Sequence, residues 1–118
     1  MKTSWIIALG LLVTGSVFAA GAQPPLRVGI IGLVHGHVGG FLNGGALVPA
    51  GGAMHRPDIE VVGVVEPDQK LFDSYAARFH WPANFHFNSI PELVAQAHPN
   101  AALVFTSTAG HTKAVEEC

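Results

Sequence analysis

The sequence holds one cysteine, Cys118, its last residue. A lone cysteine excludes an intrachain disulfide framework and any CxxC metal or redox motif. Charge is also scarce: Lys and Arg number 6, Asp and Glu 8, together 12% of the chain, and the net charge is −2 with His neutral. That composition leaves no basic patch for nucleic acid and no polyacidic tail. Internal repeats and low-complexity tracts are absent too. A chain of 118 residues has room for one small domain.

What is abundant is apolar, at 49% of residues, and much of it lies at the N-terminus. In "MKTSWIIALGLLVTGSVFAAGAQPP", Lys2 gives a positive start and Trp5 to Phe18 an apolar run. Ala20-Gly21-Ala22 then offers a small-residue cleavage site before Gln23, with Val17-Phe18-Ala19 as a second option. This order is that of a secretory signal peptide over residues 1–22, which predicts an exported protein, periplasmic or secreted, with no membrane span after cleavage. The alternative is an uncleaved anchor in the inner membrane, for which the run is a little short. No twin arginine is present, so the chain is expected to be exported unfolded, and no lipobox-type cysteine follows the run.

Residues 23–118 alternate two patterns. Leu26–Ile31, Ile59–Glu66, a short run around Phe85–Phe87 and Ala101–Thr106 read as buried strands, the first of them rich in β-branched residues. Between them lie helical patterns. Val38, Phe41 and Leu42 suggest a short helix weakened by Gly39 and Gly40, each unfavourable by about 1 kcal/mol relative to Ala. "PDQKLFDSYAARFH" starts at Pro67-Asp68 and sets Leu71, Phe72, Tyr75, Ala76 and Phe79 on one face, as core packing. Ser89 and Glu92 form a capping-box pair ahead of a third helix, and "GHTKAVEEC" begins a fourth. Residues 43–56, rich in Gly and Pro, read as a loop. Strands alternating with helices predict an α/β fold with a parallel sheet and crossover helices on its faces.

In such sheets ligands bind beyond the carboxyl ends of the strands. Those ends are Gly32–His37, Glu66, the segment after Phe87, and Thr106–Thr108. A dinucleotide turn has the pattern G-x-G-x-x-G after the first strand: one Gly for the turn, one for close approach of the diphosphate, one for helix–strand packing. Gly32 fits the first position, while Val34 and His37 occupy the others, with Gly36, Gly39 and Gly40 nearby. Glu66 ends the second strand, where an acid accepts hydrogen bonds from a ribose and disfavours a 2′-phosphate, so NAD is expected over NADP. It lies farther from the turn than the usual roughly 20 residues, and the loop 43–56 takes up the excess. The alternative for Glu66 is a solvated acid at a helix start.

Histidine is frequent, at 7 residues. His35 and His37 could share a metal, but no third ligand sits at a recognisable spacing, so no metal site is assigned. His80 and His98 fall near helix ends, where a cation suits the helix dipole. His111 opens the last helix at the strand-end face, as a ligand contact or a surface residue.

Taken together, "RVGIIGLVHGHV", "IEVVGVVEPD" and "SIPELVAQAHPNAALVFTSTAGHTKAVEEC" resemble the N-terminal dinucleotide-binding domain of the Gfo/Idh/MocA oxidoreductases. The likeness covers nearly all of residues 26–118. It implies a Rossmann-like doubly wound sheet, incomplete at its C-terminus, in an NAD(P)-dependent enzyme acting on sugars, cyclitols or related polyols. It also implies that Gly32, Leu33, Val34, His35, Gly36 and His37 form the cofactor turn and that Glu66 meets the adenosine ribose. Thr106, Ser107 and His111 would then lie along the cofactor near the nicotinamide. The turn departs from the family in lacking its second glycine. The chain also stops before the family's lysine-bearing Glu-Lys-Pro-type strand and its C-terminal substrate domain, so no catalytic residue is assigned. A sugar-like partner is expected only if such a domain completes the site, and a homo-oligomer through the open sheet edge is a further expectation. The competing readings are an exported nucleotide- or ligand-binding module without chemistry, and a structural remnant.

Overall fold

A computed structural model describes residues 21, 23–44 and 52–118. The expected leader, apart from Gly21, and residues 45–51 of the expected loop lie outside the described residues. The elements run β1 (Leu26–Ile31), α1 (His37–Asn43), β2 (Ile59–Val65), α2 (Gln69–Phe79), β3 (His86–Phe87), α3 (Ile90–Ala97), β4 (Ala101–Val104) and α4 (Thr108–Glu117). The strands form one sheet in the order β3-β2-β1-β4, every pair parallel. The fold is α/β, with helices on both faces of the sheet, as the alternating pattern predicts.

Each face has its own core. On one side Ile30, Val61 and Val64 pack with Val38 and Leu42 of α1 and with Phe72 of α2. On the other, Ile31, Val62 and Phe87 pack with Ile90, Leu93 and Ala97 of α3 and Ala114 of α4. Burying a side chain of this size contributes roughly 1.5–3 kcal/mol, so the apolar strand centres supply most of the driving force. Two strand glycines let α3 sit close. A Cβ on Gly29 would stand 2.7 Å from a Leu93 methyl, and one on Gly63 2.4 Å from the Phe87 ring.

The β1–β2 register slips between Val28 and Gly29, so that Val28 pairs with Val61 but Gly29 with Gly63. The extra residue, Val62, makes a bulge. Val62 and Gly63 both meet the α3 side, and alternation resumes with opposite parity. Val64 therefore returns to the α1/α2 side. Bulges re-aim side chains in this way.

Several boundaries are tighter than the sequence suggests. β2 stops at Val65 and β4 at Val104, because Glu66, Phe105 and Thr106 turn out of the ladder toward the β1–α1 turn. Phe85 belongs to a 3₁₀ turn over Ala83–Phe85, leaving β3 two residues. A second 3₁₀ turn, Ala53–His55, interrupts the expected loop and buries Ala53. Asp68 caps α2, its side chain accepting from the N–H groups of Lys70 and Leu71. Ser89 accepts from the Glu92 N–H, as a capping box requires, but the Glu92 carboxylate reaches back to the Asn88 N–H instead of that of Ser89. His80 and His98 end α2 and α3 in left-handed conformation, with φ of 56° and 46°. Their N–H groups close on Ala76 and Val94 carbonyls, so their place is set by backbone capping.

Candidate functional site

The strand order reverses between β1 and β4: the chain leaves β1 for β2 on one side and returns to β4 on the other. A crevice at such a switch point, beyond the carboxyl ends, is where open α/β sheets bind ligands. A groove of about 530 Å³ lies there, lined by His35, His37, Val104, Phe105, Thr106, Thr108, His111 and Thr112.

Beside it runs the turn from Gly32 to Gly36, of which His35 lines the groove; this turn is clamped from both sides. The Gly32 N–H donates to the Val65 carbonyl at 2.7 Å, and the His35 N–H to the Phe105 carbonyl at 3.0 Å. Gly32 has φ +82°, and a Cβ there would stand 2.9 Å from the Thr106 methyl and 3.0 Å from the Thr106 backbone nitrogen. Only glycine meets both conditions without strain. Gly36, by contrast, caps α1 at φ −56° and ψ −20°, an ordinary helical conformation, with open space where a Cβ would be. Val34, standing where a dinucleotide turn has its second glycine, is 61% exposed. The apolar side chain therefore projects from the turn.

Glu66 differs from both sequence readings in its surroundings. It is 2% exposed, the one buried charged residue among those described. Its Oε2 accepts from the Leu33 N–H at 2.7 Å and its Oε1 from the Asp68 N–H at 2.9 Å. The solvated-acid reading is thus overturned. The carboxylate satisfies two backbone donors and ties the β1–α1 turn to the start of α2. Charge-assisted bonds of this kind are about twice as strong as neutral ones. His86 supports the same corner: Nε2–H donates to the Glu66 carbonyl at 2.7 Å, and the ring stacks on Phe72 with centroids 4.2 Å apart.

The structure brings six expected residues to one place. Gly32 lies under Thr106, and His35, His37, Thr106 and His111 line the groove beside the Gly36 turn. Ser107 is the N-cap position of α4, without a side-chain capping bond. Leu33 is 2% exposed and belongs to the core, so only its backbone serves the turn. Sequence reasoning placed Thr108 at a strand end without assigning it to the site and missed Thr112; both join the groove because α4 starts directly after β4. Their spacing of four residues on one helix was the available signal. The Thr106 Oγ1 is buried and has no hydrogen-bond partner among the described residues. No group of three or more His, Cys, Asp or Glu among the described residues is arranged to hold a metal ion, and no described helix is long and apolar enough to cross a membrane. No family model, no curated protein and no solved structure matches the chain.

Proposed function

We propose that this chain binds a dinucleotide, NAD in preference to NADP, as the nucleotide-binding part of an exported Gfo/Idh/MocA-like oxidoreductase acting on sugars, cyclitols or related polyols. The observation that carries the reading is the groove at the β1/β4 switch point, next to a clamped glycine turn that contributes His35 to its lining and whose Gly36 has open space where a Cβ would be. In this reading the diphosphate lies against residues 32–37, and Thr106, Ser107 and His111 flank the nicotinamide end. Glu66 shapes the turn through Leu33 and places fixed negative charge at the end of β2, which opposes a 2′-phosphate. In this reading chemistry on a polyol falls to a further domain, as the resemblance implies.

Val34 favours a narrower version of the same reading. A branched side chain in place of the second glycine keeps the backbone farther from a diphosphate, which suits nucleotide binding without hydride transfer. Calorimetric titration of the chain with NAD+ and NADP+ tests the proposal. Binding of NAD+ tighter than NADP+, weakened by Gly36→Val in a variant of unchanged unfolding midpoint, is the expected result. No heat of binding from either nucleotide at millimolar concentration would sink it.

A further inference from the structure

We propose that the β1/β4 groove is a proton-coupled anion site, in which His35, His37 and His111 together hold a phosphate-class anion. The existence of the site does not depend on the dinucleotide reading: a free phosphate-class anion would meet all three imidazoles, whereas in that reading the cofactor's diphosphate meets His35 and His37 while His111 stands toward the nicotinamide end.

The three imidazoles come from two elements distant in sequence, the turn into α1 and the first turns of α4, and line one groove. All three side chains are exposed. The His35 and His37 rings lie 4.5 Å apart at 54°. The other polar lining is hydroxyl: Thr106, Thr108 and Thr112. Among the described residues no carboxylate, lysine or arginine lines the groove. α1 carries no charged side chain. On α4 the charged residues are Lys113, Glu116 and Glu117, and Lys113 turns to Glu117 at 3.7 Å. The Glu66 carboxylate is beneath the turn, bonded to the N–H groups of Leu33 and Asp68. The groove lining among the described residues therefore offers imidazole and hydroxyl donors with no acidic side chain among them, a composition suited to an anion.

The coupling to protons follows. The His37 N–H approaches the His35 Nδ1 at 3.4 Å, which leaves Nε2 of a neutral His35 as the N–H donor. Imidazole changes charge between pH 5 and 8. Two imidazolium rings at the His35–His37 separation repel each other, and an anion between them removes that penalty. Anion binding therefore takes up protons, and affinity rises as pH falls.

The test uses sulfate, whose charge is constant over that range, and NAD+, whose diphosphate is too. Both are titrated into the chain at pH 5.5 and pH 8, at fixed ionic strength with EDTA present, following the histidine Cε1–H resonances. The expected result is binding of both at least ten-fold tighter at pH 5.5. The gain should disappear in H35N/H37N/H111N, whose fold is checked by its urea midpoint. NAD+ binding with the same affinity at both pH values and no sulfate binding would overturn the inference and leave the dinucleotide reading standing. Proton-coupled sulfate binding without NAD+ binding would uphold the anion site and overturn the dinucleotide source. Binding of neither, or a pH gain that persists in the triple variant, overturns the inference.

Discussion

Glu66 at the end of β2 holds Leu33 at the end of β1, carboxylate Oε2 to backbone N–H, at 2.7 Å. The bond joins two strand ends that the sequence separates by a full helix and a long loop. It fixes the turn that carries His35 into the groove before any ligand arrives. A second backbone donor, the Asp68 N–H, occupies the other oxygen at 2.9 Å, and the residue is 2% exposed.

Glu66→Gln should accordingly destabilise the fold. An amide offers one oxygen to two N–H donors and points its own NH₂ at the other. Leaving a buried donor unmatched is unfavourable by about 1–3 kcal/mol, and that loss is the expected change in unfolding free energy in urea. An unchanged midpoint would mean that the carboxylate does not pin the turn.

Gly32 and Gly36 should respond oppositely to alanine. At Gly32 the left-handed φ of +82° and the 2.9 Å approach to Thr106 both oppose a Cβ, so Gly32→Ala should lower stability by at least about 1 kcal/mol. At Gly36 the conformation is helical and the space open, so Gly36→Ala should leave the unfolding midpoint within about 0.5 kcal/mol. Equal losses at both positions would contradict this division between a glycine the fold needs and one it does not.

The contrast also shows where sequence reasoning succeeds and where it stops. The strand runs around Ile30, Val64 and Leu103 and the α2 face of Leu71, Phe72, Tyr75 and Phe79 are local patterns, and the structure places them as their periods indicate. Ser89 as a cap is equally local. The inward course of Glu66 was not legible, because it follows from the Val62 bulge, which changes which face each later residue of β2 takes. The sequence reading put His35, His37 and His111 at the same strand-end face, but their sharing of one groove was not legible from it. It follows from β4 pairing beside β1, a choice of strand order that no spacing within the chain encodes.

Asp58 should titrate below the ordinary aspartate range. Its carboxylate is hydrogen-bonded to the Arg56 guanidinium, which lowers its pKa, although burial and other smaller effects also act. A depressed folded value means that the contribution to stability is present above the unfolded pKa of about 3.9 and is lost as pH falls through the folded one. Carboxyl NMR of the chain should show this low value, and Arg56→Ala should return it to the ordinary range. Because the pair is exposed, the unfolding midpoint at neutral pH should barely move.

Gly39 and Gly40 are the clearest places to strengthen the molecule. Both lie inside α1, a helix with no charged residue in its terminal turns and no side-chain cap at its start. Its hold on the sheet comes from Val38 and Leu42, both fully buried, rather than from helix propensity. A Cβ at either glycine meets nothing within 4 Å, so alanine adds no clash and removes conformational freedom from the unfolded chain. Each substitution should stabilise by about 0.5–1 kcal/mol, which for a domain near this size raises the thermal midpoint by several degrees. The double variant should approach the sum, since neither new methyl touches a packed neighbour. A thermal midpoint that falls in Gly39→Ala or Gly40→Ala would show that the α1 backbone needs a conformation or a close contact that alanine denies it.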